Sequence, residues 1–329
     1  MTRKKTLKIL LALSTVIFIM SIPLVASAAT ESAKAGLFST KVLPYLVAGL
    51  QDGAQYALIA IGYTMVYGIL RLINFAHGDI FMVAGLVMVY TSATMPFYIS
   101  IPFTIIITVA LGILVERVAY KPLRTAPRMS VMISAIGVSY LLQNVAWYAT
   151  GGLAKQYPTI PFLSNIIQMG SVSIKLVNII TPILTIVLVV SLVILIKKTK
   201  IGMAMRSVSV DFETSQLMGI KIDRVITMTF IIGSFLAAVA SLLFFTSYTG
   251  ITPTVGAMPG LKAFIAAVFG GIGSIPGAVI GAFIIGICEN IVKALGYTTF
   301  SDAFTFALLI IILVVKPSGL LGETTKEKV

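Results

Sequence analysis

Long apolar runs alternate with short polar or glycine-rich connections along this chain. The runs fall at about 43–70, 80–95, 99–116, 130–149, 176–196, 225–248, 260–295 and 298–315. About 20 apolar residues in a helix cross a hydrocarbon layer some 30 Å thick, so the pattern predicts an all-α polytopic membrane helix bundle. The run at 260–295 is too long for one pass. Its centre, Gly270-Gly271-Ile272-Gly273-Ser274-Ile275-Pro276-Gly277, breaks any single helix. A broken or re-entrant segment is expected there, because irregular backbone persists at membrane depth only where protein buries it or it lines a cavity.

Composition removes the soluble alternatives. Of 329 residues, 58% are hydrophobic and 11% charged, and the mean hydropathy is +1.05. Soluble domains carry about 25% charged residues. The 24 Lys and Arg exceed the 11 Asp and Glu, giving a net charge of +13. They gather in a few connections, which is the arrangement that orients a membrane protein and does not point to nucleic acid.

Charge then assigns sides. Arg117, Lys121, Arg124 and Arg128 share one connection. Lys197, Lys198, Lys200, Arg206, Lys221 and Arg224 share another, while the 150–175 loop holds only Lys155 and Lys175. The two dense connections are read as cytoplasmic and the sparse one as external. The tail from Lys316-Pro317 also reads as cytoplasmic, so 260–295 must cross twice or not at all. Seven or nine crossings follow residue 42 on those two readings.

Four basic residues, an apolar stretch from Ile9 to Val25 and Ala26-Ser27-Ala28 make residues 1–28 either a signal peptide or an uncleaved membrane anchor. Either reading puts 29–42 outside. Residues 43–316 form the transmembrane domain, with a long cytoplasmic loop at 197–224, and 317–329 form a cytoplasmic tail.

Candidate chemistry is sparse. One cysteine, Cys288, excludes a disulfide framework and a multi-cysteine metal site, and one histidine, His77, excludes His-pair zinc motifs. No GxxxxGK[ST] occurs, so the chain carries no phosphate-cradling loop. No catalytic, cofactor-binding or metal-ligating set is expected, and nucleotide-driven work falls to a partner.

Three features go beyond spanning. In the 197–224 loop, Asp211 is placed to cap a short helix holding Phe212, Ser215, Gln216 and Leu217, and Gly219 to end it in a left-handed conformation. Such a helix at the membrane surface can receive a push from a partner; a solvated basic loop is the plainer alternative. Asn74, His77, Gly78 and Asp79 interrupt two apolar runs and suggest either a pathway or a helix break with its own hydrogen bonds. Gly273, Gly277 and Gly281, four apart, would form one small packing ridge on a helix. Glu289 and Lys293 can pair at i, i+4, and Trp147, Tyr148 and Tyr157 suit an external interfacial belt.

Tyr56 to Ile69 runs into Ile73-Asn74-Phe75-Ala76-His77-Gly78-Asp79, which resembles the amino-terminal signature of the branched-chain amino acid ABC permeases. Glu116-Arg117-Val118-Ala119-Tyr120-Lys121-Pro122-Leu123-Arg124, Ile133 to Gly137, Leu217-Met218-Gly219-Ile220, Asp223-Arg224-Val225-Ile226, Lys262-Ala263-Phe264 and Gly270 to Ala278 follow in the family's order. The similarity extends from about Gly49 to Gly322, and the chain looks like the smaller of two permease subunits.

The resemblance implies an importer of leucine, isoleucine and valine in the bacterial cytoplasmic membrane. Its partners would be a second, different permease, two cytoplasmic ATPase subunits holding ATP and Mg, and an extracytoplasmic substrate-binding protein. It also implies that 197–224 is the ATPase-coupling loop, with Arg206, Asp211, Glu213, Gly219, Asp223 and Arg224 as its residues. Glu213 and Gly219 keep the family's spacing of six, although Thr214-Ser215 stands where the general signature has two alanines. A permease for urea or another amino acid in the same family is the nearest alternative. An ion-coupled secondary transporter is a second, for which Asp52, Asp79, Glu289 and Asp302 are the few carboxylates at depth.

Overall fold

A computed structural model describes residues 43–322, apart from Thr125, Gly170 and Ser171. The segments 1–28 and 29–42 and the last part of the tail, 323–329, lie outside the described residues.

The centre of the bundle is α1 (Leu43–Leu70). It is buried on every side from Gln51 to Val66, as expected of a helix that is apolar all round and rich in glycine and alanine. After it come α2 (His77–Ser92), α3 (Phe97–Val115) and α4 (Arg128–Thr150). The end of α3 widens into a π-turn at Glu116–Tyr120 and then tightens into a 3-10 turn at Lys121–Leu123. Two small external hairpin pieces follow: β1 (Lys155–Gln156), then β2 (Ile166–Met169) paired with β3 (Val172–Lys175). Next are α5 (Leu176–Lys198), α6 (Lys200–Val210), α7 (Phe212–Leu217) and α8 (Ile222–Ser247). The chain closes with β4 (Gly250–Ile251), α9 (Ala257–Gly270), α10 (Ile275–Ala294) and α11 (Ser301–Val315).

The charge-based sides agree with the contacts. Asp223 at the start of α8 bonds Lys121 at 2.8 Å and also Arg124, which puts both basic connections on one face. Antiparallel pairing of β1 with β4 gathers the sparse 150–175 loop and the end of α8 on the other. Among the described residues, seven helices are long and apolar enough to cross a membrane, and α10 is one of them. Since α10 crosses, the same parity requires α9 to pass as well, and α2 likewise. The described residues therefore make nine passes, two of them by helices of only 16 and 14 residues.

Those two short helices come from one plan used twice. A long buried helix, an extended lead-in, a short helix and a crossing helix succeed each other as α1, α2, α3 and again, in the opposite direction, as α8, α9, α10. The packing follows suit: α1 lies along α10 as α8 lies along α3, and α2 rests on α8 as α9 rests on α1. Inverted repeats with interrupted helices put their broken points near mid-membrane.

Two sequence expectations need correction. Gly273 is not on a helix ridge with Gly277 and Gly281; it sits in the α9–α10 turn at φ +99°, with open space around it. The ridge consists of Gly277 and Gly281, where a β-carbon would come within 2.4 Å of the Gly270 and Ala266 carbonyl oxygens of α9. Tyr157 is not in an interfacial belt. It is 2% exposed and packs on Phe245, because β1 folds the loop back over α8, while Trp147 and Tyr148 remain exposed at the end of α4.

Candidate functional site: a mid-depth cavity and a cytoplasmic helix

The lead-in between α1 and α2 turns back into the bundle. Arg71 adopts φ 56° to start it, and His77 ends up against Gly62, where any β-carbon would collide with the imidazole. Gly62 and Gly233 lie together beside the ring, and Gly233 is eleven residues along α8. At about 1.5 Å per residue, α2 thus begins roughly 16 Å above the cytoplasmic end of α8, near half depth.

The four residues of this break have separate roles. Asn74 accepts a bond of 2.8 Å from the Tyr120 hydroxyl and so ties the lead-in to the π-turn of α3. His77 is buried, meets the Tyr63 ring edge-on at 5.1 Å, and its Nε2 has no partner. Gly78 is the crossing point with α9: a β-carbon there would approach the Gly256 carbonyl oxygen to 2.7 Å, and one on Gly256 would approach the Gly78 oxygen to 2.2 Å. The starts of α2 and α9 therefore meet. Neither Asn74 nor Asp79 caps α2; its N-cap is Ala76, without a side-chain bond. Asp79 instead accepts bonds from Ser139 and, at 3.0 Å, from Gln143 on α4.

Beside this meeting point is a cavity of about 340 Å³. Asp79, Ser139 and Gln143 form its polar wall, and Phe75, Phe264 and Leu261 form its apolar one. Ser139 and Gln143 were not among the residues singled out from the sequence. Their signal was an i, i+4 polar pair inside a mostly apolar run.

A second buried polar group lies toward the outer ends of α1, α10 and α11. Lys262 bonds Glu289 at 2.8 Å and Asp302 at 2.7 Å; Lys293 bonds Glu289 at 2.8 Å and stands 3.8 Å from Asp52. Asn290 and Tyr248 donate to Asp52, and Tyr56 donates to Glu289. The Glu289–Lys293 pair forms as the spacing predicts. Lys262, a lone cation inside a glycine-rich apolar run, enters the sequence reading only within a family motif, and Asn290 and Tyr248 do not enter it.

The cytoplasmic face is built around α7. Asp211 caps it, accepting from the backbone N–H of Glu213 at 3.0 Å and of Thr214 at 3.1 Å, and from the Thr214 hydroxyl at 2.6 Å. The Thr214 hydroxyl, then the backbone bonds, hold the Asp211 carboxyl below the usual carboxylate range. Gly219 closes the other end at φ +82°, and the Ile220 N–H reaches back to the Ser215 carbonyl at 3.1 Å. A β-carbon on Gly219 would meet nothing, so the demand for glycine there is conformational only.

Buried Met205 and Val208 and half-buried Phe212 seat the α6–α7 platform on the bundle. Leu217 and Met218 project outward, 86% and 79% exposed, and Glu213 is exposed on the same short helix. Arg206 donates weakly to the Lys197 carbonyl at 3.4 Å, and Arg224 is exposed. Asp223 binds Lys121 and Arg124, and Arg124 also binds buried Glu116. Through these pairs the start of α8 is joined to the connection that leads into α4.

Known proteins share this chain's sequence over most of its length. The family model described as branched-chain amino acid transport system, permease component, matches residues 45–313. The high-affinity branched-chain amino acid transport system permease protein BraD of Pseudomonas aeruginosa is 40% identical over 300 residues, covering 87% of this chain and 98% of that protein. The corresponding LivH of Escherichia coli is 42% identical over 294 residues, covering 85% and 96%. The ribose import permease protein RbsC of Haemophilus influenzae is similar at 27% over 276 residues. With a multi-pass bundle on one side and these matches on the other, the chain belongs to the branched-chain amino acid transport system permease family.

Proposed function

We propose that this chain is a pathway-forming subunit of an ATP-driven importer of leucine, isoleucine and valine. A second, different permease completes the pathway, an extracytoplasmic binding protein delivers the ligand, and two cytoplasmic ATPases holding ATP and Mg drive the cycle. The single observation that carries this reading is α7. It is a six-residue helix capped at both ends, seated by its buried face and presenting Leu217 and Met218 outward. An exposed apolar tip on a rigid cytoplasmic mount suits docking of a partner, whereas a loop that served only to span would keep such residues covered.

The mechanism follows from how the platform is attached. Closure of the ATPases displaces α7. Gly219 and Ile220 pass the displacement to α8, and Asp223 passes it through Lys121 and Arg124 to the start of α4. The far part of α4 carries Ser139 and Gln143 to the cavity at Asp79, so motion at the docking helix changes the width of the cavity. Ligand biases the cycle only through different affinities for the outward and inward arrangements.

Two experiments test this. Purification of the chain from its native membrane, with stoichiometric partners identified by mass spectrometry, is expected to recover two ATPases and a second permease. Recovery as a homo-oligomer without any ATPase would overturn the reading. Within the complex, Gly219→Val forces a β-branched residue into a left-handed backbone at a cost of about 1–2 kcal/mol. It is expected to leave ATP hydrolysis intact while leucine uptake falls several-fold; coupled uptake at the normal rate in a well-assembled variant would remove α7 from the coupling path.

A further inference from the structure

Asp79 differs from the other buried carboxylates. Among the described residues, Asp52, Glu116 and Glu289 are equally buried and each has a lysine or arginine partner. Asp79 is 2% exposed and has only the neutral donors Ser139 and Gln143. A carboxylate out of water with no cation is costly, and an ionisable group at membrane depth without a partner marks a functional site by default.

The cavity that Asp79 lines has the right scale and the right walls for one class of ligand. Its volume of about 340 Å³ is at the small end of the range of about 300–1,000 Å³ for ligand pockets. Phe75, Phe264 and Leu261 offer a surface for a short aliphatic side chain. Where Gly78 and Gly256 cross, the amino-terminal ends of α2 and α9 add partial positive charge on the wall next to the carboxylate. The cavity is thus bipolar, with one carboxylic group, one weakly positive rim and an apolar floor. Ile136 and Tyr140, both exposed on α4, leave it accessible from the side.

We infer that this cavity is a transient binding site for a zwitterionic aliphatic α-amino acid in transit, with Asp79 accepting its ammonium group and Ser139 and Gln143 orienting that carboxylate. The inference rests on the import reading above and adds to it a location and a charge requirement. It makes Asp79 a specificity-determining residue: an α-amino acid is held, while the same carbon skeleton without the amino group is not. Ser139 and Gln143, being carried by α4, loosen or tighten the site as that helix moves.

The test uses the complete importer in proteoliposomes with its loaded binding protein. A cysteine at the cavity mouth, Ile136→Cys in a Cys288→Ser background, is labelled with a maleimide in the presence or absence of L-leucine or of 4-methylpentanoate, which lacks the amino group. L-leucine is expected to slow labelling several-fold and 4-methylpentanoate to leave it unchanged. Adding Asp79→Asn is expected to abolish the protection and to lower leucine uptake about tenfold or more, the scale of a charge-assisted contact. Asp79→Glu is expected to restore part of both.

Protection by leucine that survives Asp79→Asn, equal protection by 4-methylpentanoate, or normal uptake in Asp79→Asn would each overturn the site. Absence of leucine uptake by the unsubstituted complex is a different result: it would overturn the importer reading itself.

Discussion

The outer ionic cluster and the Asp79 cavity are both polar regions sunk in the same apolar bundle, and they are built on opposite terms. In the cluster, Lys262 and Lys293 bridge Glu289, Asp302 and Asp52 across α1, α9, α10 and α11, so that charges are answered by charges. In the cavity one carboxylate stands with two neutral donors beside open volume. Groups that satisfy one another hold helices together. A group left waiting for a charge does little for the architecture and is free to take part in traffic.

That contrast can be broken. The largest effect is expected from Lys262→Met, which leaves buried Glu289 with Lys293 as its one remaining cation and half-exposed Asp302 without its lysine; losing one partner of a buried pair costs up to about 3–5 kcal/mol. Thermal unfolding of the purified complex should move down sharply, and the double substitution Lys262→Met with Glu289→Gln should recover much of the loss. A single variant as stable as the parent would mean that the cluster is not structural. Next in size is Gly256→Ala, whose methyl group would come within 2.2 Å of the Gly78 oxygen. Overpacking of this kind costs about 1–3 kcal/mol, and prising α2 from α9 should impair uptake even where the protein accumulates normally.

Two smaller effects sharpen the same point. Asp79→Asn is expected to change thermal stability by less than about 1 kcal/mol in either direction, since it removes both a desolvated charge and the bonds made to it. A stability loss as large as that of Lys262→Met would place Asp79 with the structural pairs. The smallest effect concerns pH. Asp211 has its carboxyl held below the ordinary value by Thr214, so its capping contribution is fully present above the unfolded value and is lost only as pH falls through the lowered one. Coupling of ATP hydrolysis to uptake should therefore be flat, as far as α7 is concerned, from about pH 5 to about pH 8. A coupling loss centred near neutrality would have to come from another group.

Much of the fold was legible because hydrophobic runs of spanning length are a strong signal, and because two basic connections and one sparse loop set the sides. Parity alone demanded that 260–295 cross twice or not at all, and the α9–α10 turn resolves it into two passes. The ends of α7 were equally readable, since a capping aspartate and a left-handed glycine act locally. Gly273 was misread because four-residue spacing says nothing about where a helix begins, and α10 starts two residues later at Ile275. Tyr157 was misplaced because its burial depends on a two-residue strand pairing with β4, far away in sequence. For the same reason the partners of Asp79 were invisible: Ser139 and Gln143 reach it only once α4 has packed beside α2. Distance in sequence, not weakness of chemistry, hid them.

The last described stretch has a bearing on how the chain comes to be assembled. The N–H groups of Leu320 and Leu321 bond the carbonyls of Phe269 and Gly270 at 2.9 Å each, satisfying the end of α9 from about fifty residues downstream. Until those residues have been synthesised, the short helix has bare carbonyls at its cytoplasmic tip. During translation, then, α9 is threaded before it can be locked, and the polypeptide segment after α11 acts as the latch that seats it. A truncation ahead of Leu320 would leave those carbonyls bare and is expected to loosen the helix that carries Leu261 and Phe264 to the cavity.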